Sequence, residues 1–499
     1  MVLEALGEAV ALILSGHTLY FLILGLIIGI FVGSLPGIGA SLGMAIVLPL
    51  TVPMEGVDAI ILLTGIYSGA MYGGSISAIL FNVPGTAGAA ATTFDGYEMA
   101  KKGNAVGALS TSAVSSVFGG SMAFLLLILI SPIIIPIVLM FGTPEYFLMA
   151  IFGLATITIV ARGAMVKGFI AGLFGFLLST VGIAPLSPET RYTFGTTVLF
   201  DGLSFIAGLI AVFAVAEMLR LTTQEGKIKE EGITISGNIL QGFNTVVKRP
   251  ILVAKSGLIG MVVGAIPGAG GSISNFVAYI EALRSSKNPE AFGTGAAEGV
   301  IAPEASNNAT VGGALVPTLS FGIPGSGSTA VLLGGLILHG IRPGPNLFSA
   351  ELFITYSILI ALLVGNLVIL VLGILFITRA GYITKIDVHV IIPIIIVLSM
   401  LGAYAIRSNW VDVATVFLIS ILGLYMKLHN YSIIAFVLGM ILGPIAEENL
   451  ARSLDISGDS LFIFVAEPLR ILLVLLILVT VFGPILKPYI SRVRTRLEL

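Results

Sequence analysis

The residues best placed to do chemistry lie in one apolar stretch, "EGVIAPEASNNATVGGALVP" (298–317). Its carboxylate, Glu304, is followed by Ser306, Asn307 and Asn308. An ionisable side chain at membrane depth is costly and is a functional candidate by default. We expect these four residues to form an ion-coupling site, in which Glu304 binds a proton or Na⁺ and the neighbouring side chains supply oxygen ligands or donors. The alternative is that Glu304 lies in the headgroup region and the asparagines join neighbouring helices.

Four Pro-Gly steps form a second group of candidates. We call them the first break "SLPGIGAS" (34–41), the second break "FNVPGTAG" (81–88), the third break "AIPGAGGSISN" (265–275) and the fourth break "FGIPGSGST" (321–329). Proline removes a helix donor, and the peptide groups this frees are tolerated in a bilayer only where they face protein or a wet cavity. The half-helix after each break would present N–H donors and a positive dipole end, which suits an anion. The alternative is that the breaks serve packing alone, since glycine and proline are common in membrane helices.

Interruptions at matching positions of two halves predict a transporter binding site formed by discontinuous helices. We therefore expect the four breaks to surround one anionic solute with neutral donors and without a buried arginine. The predicted substrate-binding residues are Pro36, Gly37, Gly39, Ser41, Asn82, Pro84, Gly85, Thr86, Pro267, Gly268, Gly270, Ser272, Ser274, Asn275, Pro324, Gly325, Ser326, Ser328 and Thr329.

The elements that carry these residues must be membrane helices. The chain has 499 residues, of which 57% are hydrophobic and 10% charged, and its mean hydropathy is +1.09. Its long apolar runs predict an all-α polytopic membrane protein with roughly ten to fourteen membrane segments, some of them discontinuous or re-entrant. A net charge of −2 gives no footprint for nucleic acid, and the absence of cysteine excludes disulfides, zinc–thiolate sites and thiol catalysis.

An internal repeat organises these segments. "IIGIFVGSLPGIGAS" (27–41) matches "LIGMVVGAIPGAGGS" (258–272) at an offset of 231 residues, and "FNVPGTAG" (81–88) matches "FGIPGSGS" (321–328) at an offset of 240 residues. Two matches in the same order, about half the chain apart, indicate a duplication. We expect an N-terminal transmembrane half (1–220), a polar extramembrane connector (221–250) and a C-terminal transmembrane half (251–499).

Charge patterning predicts that the two halves are inverted in the membrane. The turn at 51–58 has no lysine or arginine, whereas its counterpart at 281–292 has two. After the second break the bias is reversed, because 95–104 carries two lysines and 339–351 carries a single arginine. Lysine and arginine favour the cytoplasmic side, so opposite biases at equivalent loops favour opposite orientations. We expect Asp95 and Glu98, in the first of these later loops, to be solvated.

The motifs "GSLPGIGAS" (33–41), "FNVPGTAGAAATTFDGYEMAKKG" (81–103), "GAIPGAGGSISNFVAY" (264–279) and "PEASNNATVGGALVPTLSFGIPGSGSTAVLLGGLILHGIRPGP" (303–345) resemble the large membrane subunit of the tripartite tricarboxylate transporters, the TctA family. The resemblance runs from about residue 20 to at least 480. It implies a multi-pass protein of the bacterial inner membrane that imports citrate or another organic acid, driven by Na⁺ or H⁺, and that is not an enzyme and needs no other cofactor. It also implies two partners, a small membrane subunit of about four helices and a periplasmic solute-binding protein that delivers the carboxylate to an alternating-access site. The residues themselves leave two alternatives open, a passive anion channel and an intramembrane enzyme.

Overall fold

The computed structural model describes residues 2–157, 165–222, 236–268, 270–377 and 388–497. Within them the chain forms nineteen helices and one two-stranded antiparallel ribbon, β1 Gly182–Ile183 with β2 Thr190–Arg191. Helices before the connector are α1 Val2–Ile13, α2 Gly16–Ser34, α3 Gly39–Val47, α4 Gly56–Phe81, α5 Thr92–Lys101, α6 Ala105–Leu139, α7 Thr143–Ala155, α8 Met165–Ser179 and α9 Phe205–Thr222. From the connector onward they are α10 Ile239–Val247, α11 Pro250–Gly264, α12 Gly270–Ser285, α13 Glu298–Phe321, α14 Gly327–Leu338, α15 Leu352–Ile377, α16 Val388–Arg407, α17 Trp410–Leu428, α18 Ile433–Ser457 and α19 Pro468–Leu497.

Seven of the described helices, α2, α4, α6, α9, α15, α17 and α18, are long and apolar enough to cross a membrane, and seven shorter apolar helices accompany them. Large apolar side chains lie exposed on the outer faces of α6, α8, α17 and α19, where a bilayer would cover them. The protein is thus an all-α, multi-pass membrane protein, and that prediction is confirmed.

Glycines allow α2 and α4 to pack with their backbones in contact. A Cβ added at Gly29 would overlap the carbonyl oxygen of Ile66, and one added at Gly33 would overlap that of Ala70. Close approach of this kind is what small residues at four-residue spacing permit between membrane helices.

The same contacts recur between α11 and α13. A Cβ added at Gly260 would overlap the carbonyl oxygen of Ser306, and one added at Gly264 would overlap that of Thr310. These are the residues that the offsets of 231 and 240 equate with the α2–α4 contacts, as two copies of one packing unit would give. The inverted orientation of the halves stays a prediction.

Residues 223–235 of the predicted connector lie outside the described part of the chain. In its described remainder, α10 packs along α6, where the backbone at Gly242 lies against Ser110 and the amide of Val106 donates to the carbonyl of Ser236 at 2.9 Å. This part of the connector is therefore attached to the helical body.

Candidate functional site

The four breaks meet around a single cavity of about 430 Å³. Each break contributes part of its wall, and so do two residues of α4 and one residue each of α9 and α18. The residues predicted from the sequence that line it are Gly37, Gly39, Ser41, Pro84, Gly85, Thr86, Gly268, Gly270, Ser326 and Ser328. The Pro-Gly steps are thus brought together in space rather than scattered along the helices.

Glycine is required at the first and third breaks because the backbone there turns through the left-handed region. The φ angles are +76° at Gly37 and +72° at Gly39, and +74° at Gly268 and +44° at Gly270. Helix α3 begins at Gly39 and helix α12 at Gly270, so both helix N-termini lie in the cavity wall. Unpaired N–H groups and the positive end of the helix dipole are therefore available to an anion there.

The second break follows α4 and the fourth break follows α13, and each of these helices ends at a residue with left-handed backbone conformation. The end residues are Asn82, with φ +56°, and Gly322, with φ +67°. After the fourth break α14 begins with a capping box, in which Ser326 Oγ accepts from the amide of Thr329 and Thr329 Oγ1 accepts from the amide of Ser326. After the second break the chain makes a 3₁₀ turn, Ala87–Ala89, before α5 begins.

Several predicted substrate residues do not line the cavity and instead hold its wall. Ser274 Oγ lies 2.7 Å from Thr310 Oγ1, and Asn275 Nδ2 donates to the carbonyl oxygens of Ala87, at 3.1 Å, and Gly88. Thr329 forms the capping box of α14 together with Ser326. Outside the wall lie Pro36, Asn82, Pro267, Ser274, Asn275, Pro324, Gly325 and Thr329, and the side chain of Ser272 lies outside the described part of the structure.

The described cavity wall contains no charged side chain. The nearest cationic group that the contacts identify is the guanidinium of Arg220, whose Nη2 lies 3.6 Å from the position of a Cβ on Gly37. Arg220 Nε donates to Glu217 Oε1 at 2.9 Å, and Lys427 pairs with the same carboxylate. An anion in the cavity would therefore meet backbone amides and hydroxyls first.

Glu304 is fully buried in α13 and accepts hydrogen bonds from four hydroxyl groups. Ser75 Oγ of α4 lies 2.7 Å and 2.6 Å from its two oxygens, and Thr92 Oγ1 of α5 donates to Oε1. Ser112 and Ser116 of α6 donate to Oε2 at 3.0 Å and 2.9 Å. A carboxyl surrounded by rotatable hydroxyls can be satisfied with or without a proton, because each hydroxyl can donate or accept.

Ser306, Asn307 and Asn308, the other predicted ion-coupling residues, are also buried. Asn307 Nδ2 donates to the carbonyl of Met71 at 3.1 Å, and its Oδ1 lies against Gly88. Asn308 Nδ2 lies 3.4 Å from Asn366 Oδ1. Glu304 does not line the cavity, whereas Asn307, about one helical turn further along α13, contacts the wall residues Met71 and Gly88.

Asp95 is fully buried, so the prediction that it lies in a solvated loop is wrong. Its Oδ1 accepts from the amides of Gly293, Gly295 and Ala296 at 2.9, 2.8 and 2.7 Å, and Tyr279 donates to Oδ2 at 2.8 Å. A carboxylate that accepts three backbone N–H groups fixes the loop before α13. Glu98, by contrast, is partly exposed beside Lys101.

Comparison with known proteins decides the family. The model of the tripartite tricarboxylate transporter TctA family matches residues 19–438. The chain belongs to the TctA family. An uncharacterized 52.8 kDa protein in the TAR-I ttuC' 3' region of Agrobacterium vitis is 36% identical over 423 residues, covering 85% of this chain and 84% of that protein. An uncharacterized protein in the TAR-II ttuC' 3' region of the same organism is 33% identical over 210 residues, covering 42% of this chain and 87% of that protein. No solved structure matches the chain.

For this TctA-family chain, sequence reasoning missed the hydroxyls around Glu304 and the four cavity-wall residues that lie outside the breaks. A signal for the hydroxyls exists, because "GALSTSAVSSVFGG" (107–120) places five hydroxyl residues in an otherwise apolar helix. No comparable signal marks the cavity residues, since they are ordinary apolar or aromatic positions in long helices. They are Tyr67, Met71, Phe213 and Ile434.

Proposed function

We propose that this chain is the large membrane subunit of a cation-coupled importer of tricarboxylates or related organic acids. The observation that carries the proposal is the convergence of four helix breaks on one neutral cavity of about 430 Å³. Membership of a transporter family supports the transport of a tricarboxylate rather than a chemical reaction on it.

In this proposal the carboxylates of the solute bind to main-chain amides at the starts of α3, α12 and α14 and at the turn after the second break. The hydroxyls of Ser41, Thr86, Ser326 and Ser328 add donors. Helix N-termini bind anions without a compensating cation. Because no cationic side chain lines the described wall, the bound anion keeps a modest affinity and can leave on the other side.

Coupling to Na⁺ or H⁺ is assigned to the buried polar segment of α13, comprising Glu304, Ser306, Asn307 and Asn308. The broken helices move as gates or as one body, so that the cavity opens to each side of the membrane in turn. A periplasmic solute-binding protein delivers the acid, a small membrane subunit completes the assembly, and the location is the inner membrane of a bacterium.

A cysteine-free chain allows a direct test of the cavity. Ser41→Cys and Ser328→Cys place single thiols in the wall, and Ser285→Cys places one on the exposed end of α12 as a matched control. We expect citrate or another bound carboxylate to slow alkylation of the first two thiols and to leave the third unchanged. Equal rates with and without a panel of di- and tricarboxylates would contradict the proposed site.

Uptake into proteoliposomes separates the proposal from its alternatives. With an imposed Na⁺ or proton gradient, labelled carboxylate should accumulate above its external concentration. Equilibration without accumulation would indicate a passive anion channel. A chemically altered product would indicate an intramembrane enzyme.

A further inference from the structure

Three buried oxygen atoms at or beside the second break lack a hydrogen-bond partner among the described residues. They are Oγ1 of Thr86, Oδ1 of Asn275 and Oδ1 of Asn307. Thr86 is 6% exposed and both asparagines are fully buried. Buried polar atoms are almost always satisfied, so three orphan oxygens around one turn indicate a partner that the described residues do not supply.

The two carboxamides are held in fixed orientations, so their oxygens cannot simply be exchanged for the nitrogens. Asn275 Nδ2 faces the carbonyl oxygens of Ala87 and Gly88, and Asn307 Nδ2 faces that of Met71. A flip would place oxygen against carbonyl oxygen in each case. The orphan atoms are therefore carboxamide oxygens.

These side chains come from two helices of the second half and contact the same turn of the first half. Asn275 lies on α12 and Asn307 on α13, and both lie against Gly88. A Cβ at Gly88 would overlap Asn307 Oδ1, so glycine leaves room for that oxygen beside the cavity wall. Thr86 and Gly88 both line the cavity, which provides a path for a small ion.

We propose that this cluster, Thr86, Asn275 and Asn307, is a Na⁺ site. Carboxamide, hydroxyl and main-chain carbonyl oxygens are hard, neutral ligands that suit a small monovalent cation, and unwound transporter helices bind Na⁺ with such groups. Divalent ions favour carboxylates, and no group of three or more potential metal-binding His, Cys, Asp or Glu side chains occurs among the described residues. None of the three oxygens can bind a proton near neutral pH, which favours Na⁺ over H⁺ as the cation bound here.

The assignment places Na⁺ at the second break rather than on the carboxyl of Glu304. Both of its oxygens are already occupied by hydroxyl donors, whereas the oxygens at the second break are open. Bound Na⁺ would coordinate the orphan oxygens, join the two halves at the cavity wall and place a positive charge beside the anion. Only this last role, coupling to the anion, rests on the proposed function.

The test is the thermal unfolding of the purified full-length protein in detergent, without carboxylate. Na⁺ should raise the midpoint saturably relative to K⁺ and choline at equal ionic strength. Thr86→Val removes one ligand oxygen and no side-chain hydrogen bond to the described residues, and we expect it to raise the half-maximal Na⁺ concentration by about tenfold or more. Thr64→Val removes another buried, unpartnered hydroxyl away from the second break and should leave the Na⁺ response unchanged.

Three results would overturn the site: a wild-type response equal for Na⁺ and K⁺, an unchanged response in Thr86→Val, or an equal loss in Thr64→Val. Asn307→Ala, measured by binding of radioactive Na⁺, gives a second ligand removal with the same expected loss. Because these measurements contain no carboxylate, they are independent of the thiol-protection and uptake tests. Na⁺ binding without carboxylate protection would contradict the proposed function alone.

Discussion

Helices α4 and α13 occupy equivalent positions in the two halves, and both are buried along almost their whole length. They pack against a preceding glycine-bearing helix in the same way, and each ends in a left-handed residue before a Pro-Gly step. Their central side chains differ. At the repeat offset of 240 residues, Thr64 in α4 is equivalent to Glu304 in α13. Tyr67 is likewise equivalent to Asn307, and Ser68 to Asn308.

The central side chains of α4 and α13 therefore have different roles. All four hydroxyls that bind the Glu304 carboxyl belong to the first half, whereas the hydroxyls of Thr64 and Ser68 have no hydrogen-bond partner in the described part of the chain. The duplicated frame thus supplies two similar scaffolds, and the second half adds the ionisable group that the first half solvates. This difference would place the proposed coupling group in the second half alone.

The largest expected effect is a loss of uptake when the central residue of α13, Glu304, is replaced. Glu304→Gln keeps the side-chain shape, and the surrounding hydroxyls can rotate to bond the amide, so folding should survive. We expect gradient-driven uptake of labelled carboxylate to fall by about two orders of magnitude, because a buried ionisable group in a transporter is functional by default. Thr64→Val, the equivalent position, should retain uptake within about twofold. Normal uptake by Glu304→Gln would remove Glu304 from the coupling site.

The next effect tests whether the two helix pairs are equally tight. Gly29→Ala and Gly260→Ala each place a methyl group against a main-chain carbonyl and should each cost about 1–3 kcal/mol of stability. Gly7→Ala in α1 has nothing within 4 Å and is the matched control. Unfolding midpoints in detergent measure all three. A large loss for one central glycine and none for the other would break the equivalence of the two packing units.

A smaller effect is expected at the loop that Asp95 holds. Asp95→Asn weakens three charge-assisted bonds from backbone amides and should cost about 2 kcal/mol. Limited proteolysis should then cut 286–297 faster than in the wild type. Glu98→Gln, which affects an exposed pair with Lys101, should change stability by less than about 1 kcal/mol. Equal cutting in both variants would mean that Asp95 does not fix the loop.

The smallest effect concerns His339, which provides the corresponding contact in the other half. Its Nε2 lies 3.0 Å from Thr51 Oγ1 in the loop before α4, and burial lowers the pKa of its imidazole below the usual range. A lowered pKa means that this contribution to stability is present above the unfolded pKa of about 6.5 and is lost as the pH falls through the folded pKa. Since the ring is half exposed, we expect less than about 1 kcal/mol.

The measurement is the difference in unfolding midpoint between pH 7.5 and pH 5, compared with His339→Gln. The wild type should lose slightly more stability on acidification than the variant. If the variant has the same or a steeper pH dependence, the contact of His339 does not stabilise the loop before α4 as Asp95 is expected to stabilise the loop before α13.

Much of the fold was predictable because it follows from local pattern. Long apolar runs identify membrane helices, and the matched glycines of 27–41 and 258–272 mark the repeated packing unit. Convergence of the four breaks was a hypothesis that depended on this repeat. Which members of each break reach the cavity depends on side-chain direction, and the sequence pattern does not encode it for Asn275 or Thr329.

The environment of charged groups was less predictable, because it depends on contacts between distant segments. Asp95 sits in a polar, charged stretch that is typical of a solvated loop, yet amides some 200 positions later in the chain bind it. The donors to Glu304 are likewise spread over three helices. Burial of this kind becomes visible only when the helices are assembled.

The cavity wall is built largely from main chain, and this limits how its selectivity can change. Replacing one side chain cannot remove a peptide amide, and glycines with positive φ resist replacement altogether. Attempts to redirect such a protein to other acids are better aimed at the few larger residues that set the volume of the chamber. Libraries at Tyr67, Met71, Phe213 and Ile434 would sample different acid sizes while leaving in place the amides proposed to bind the anion.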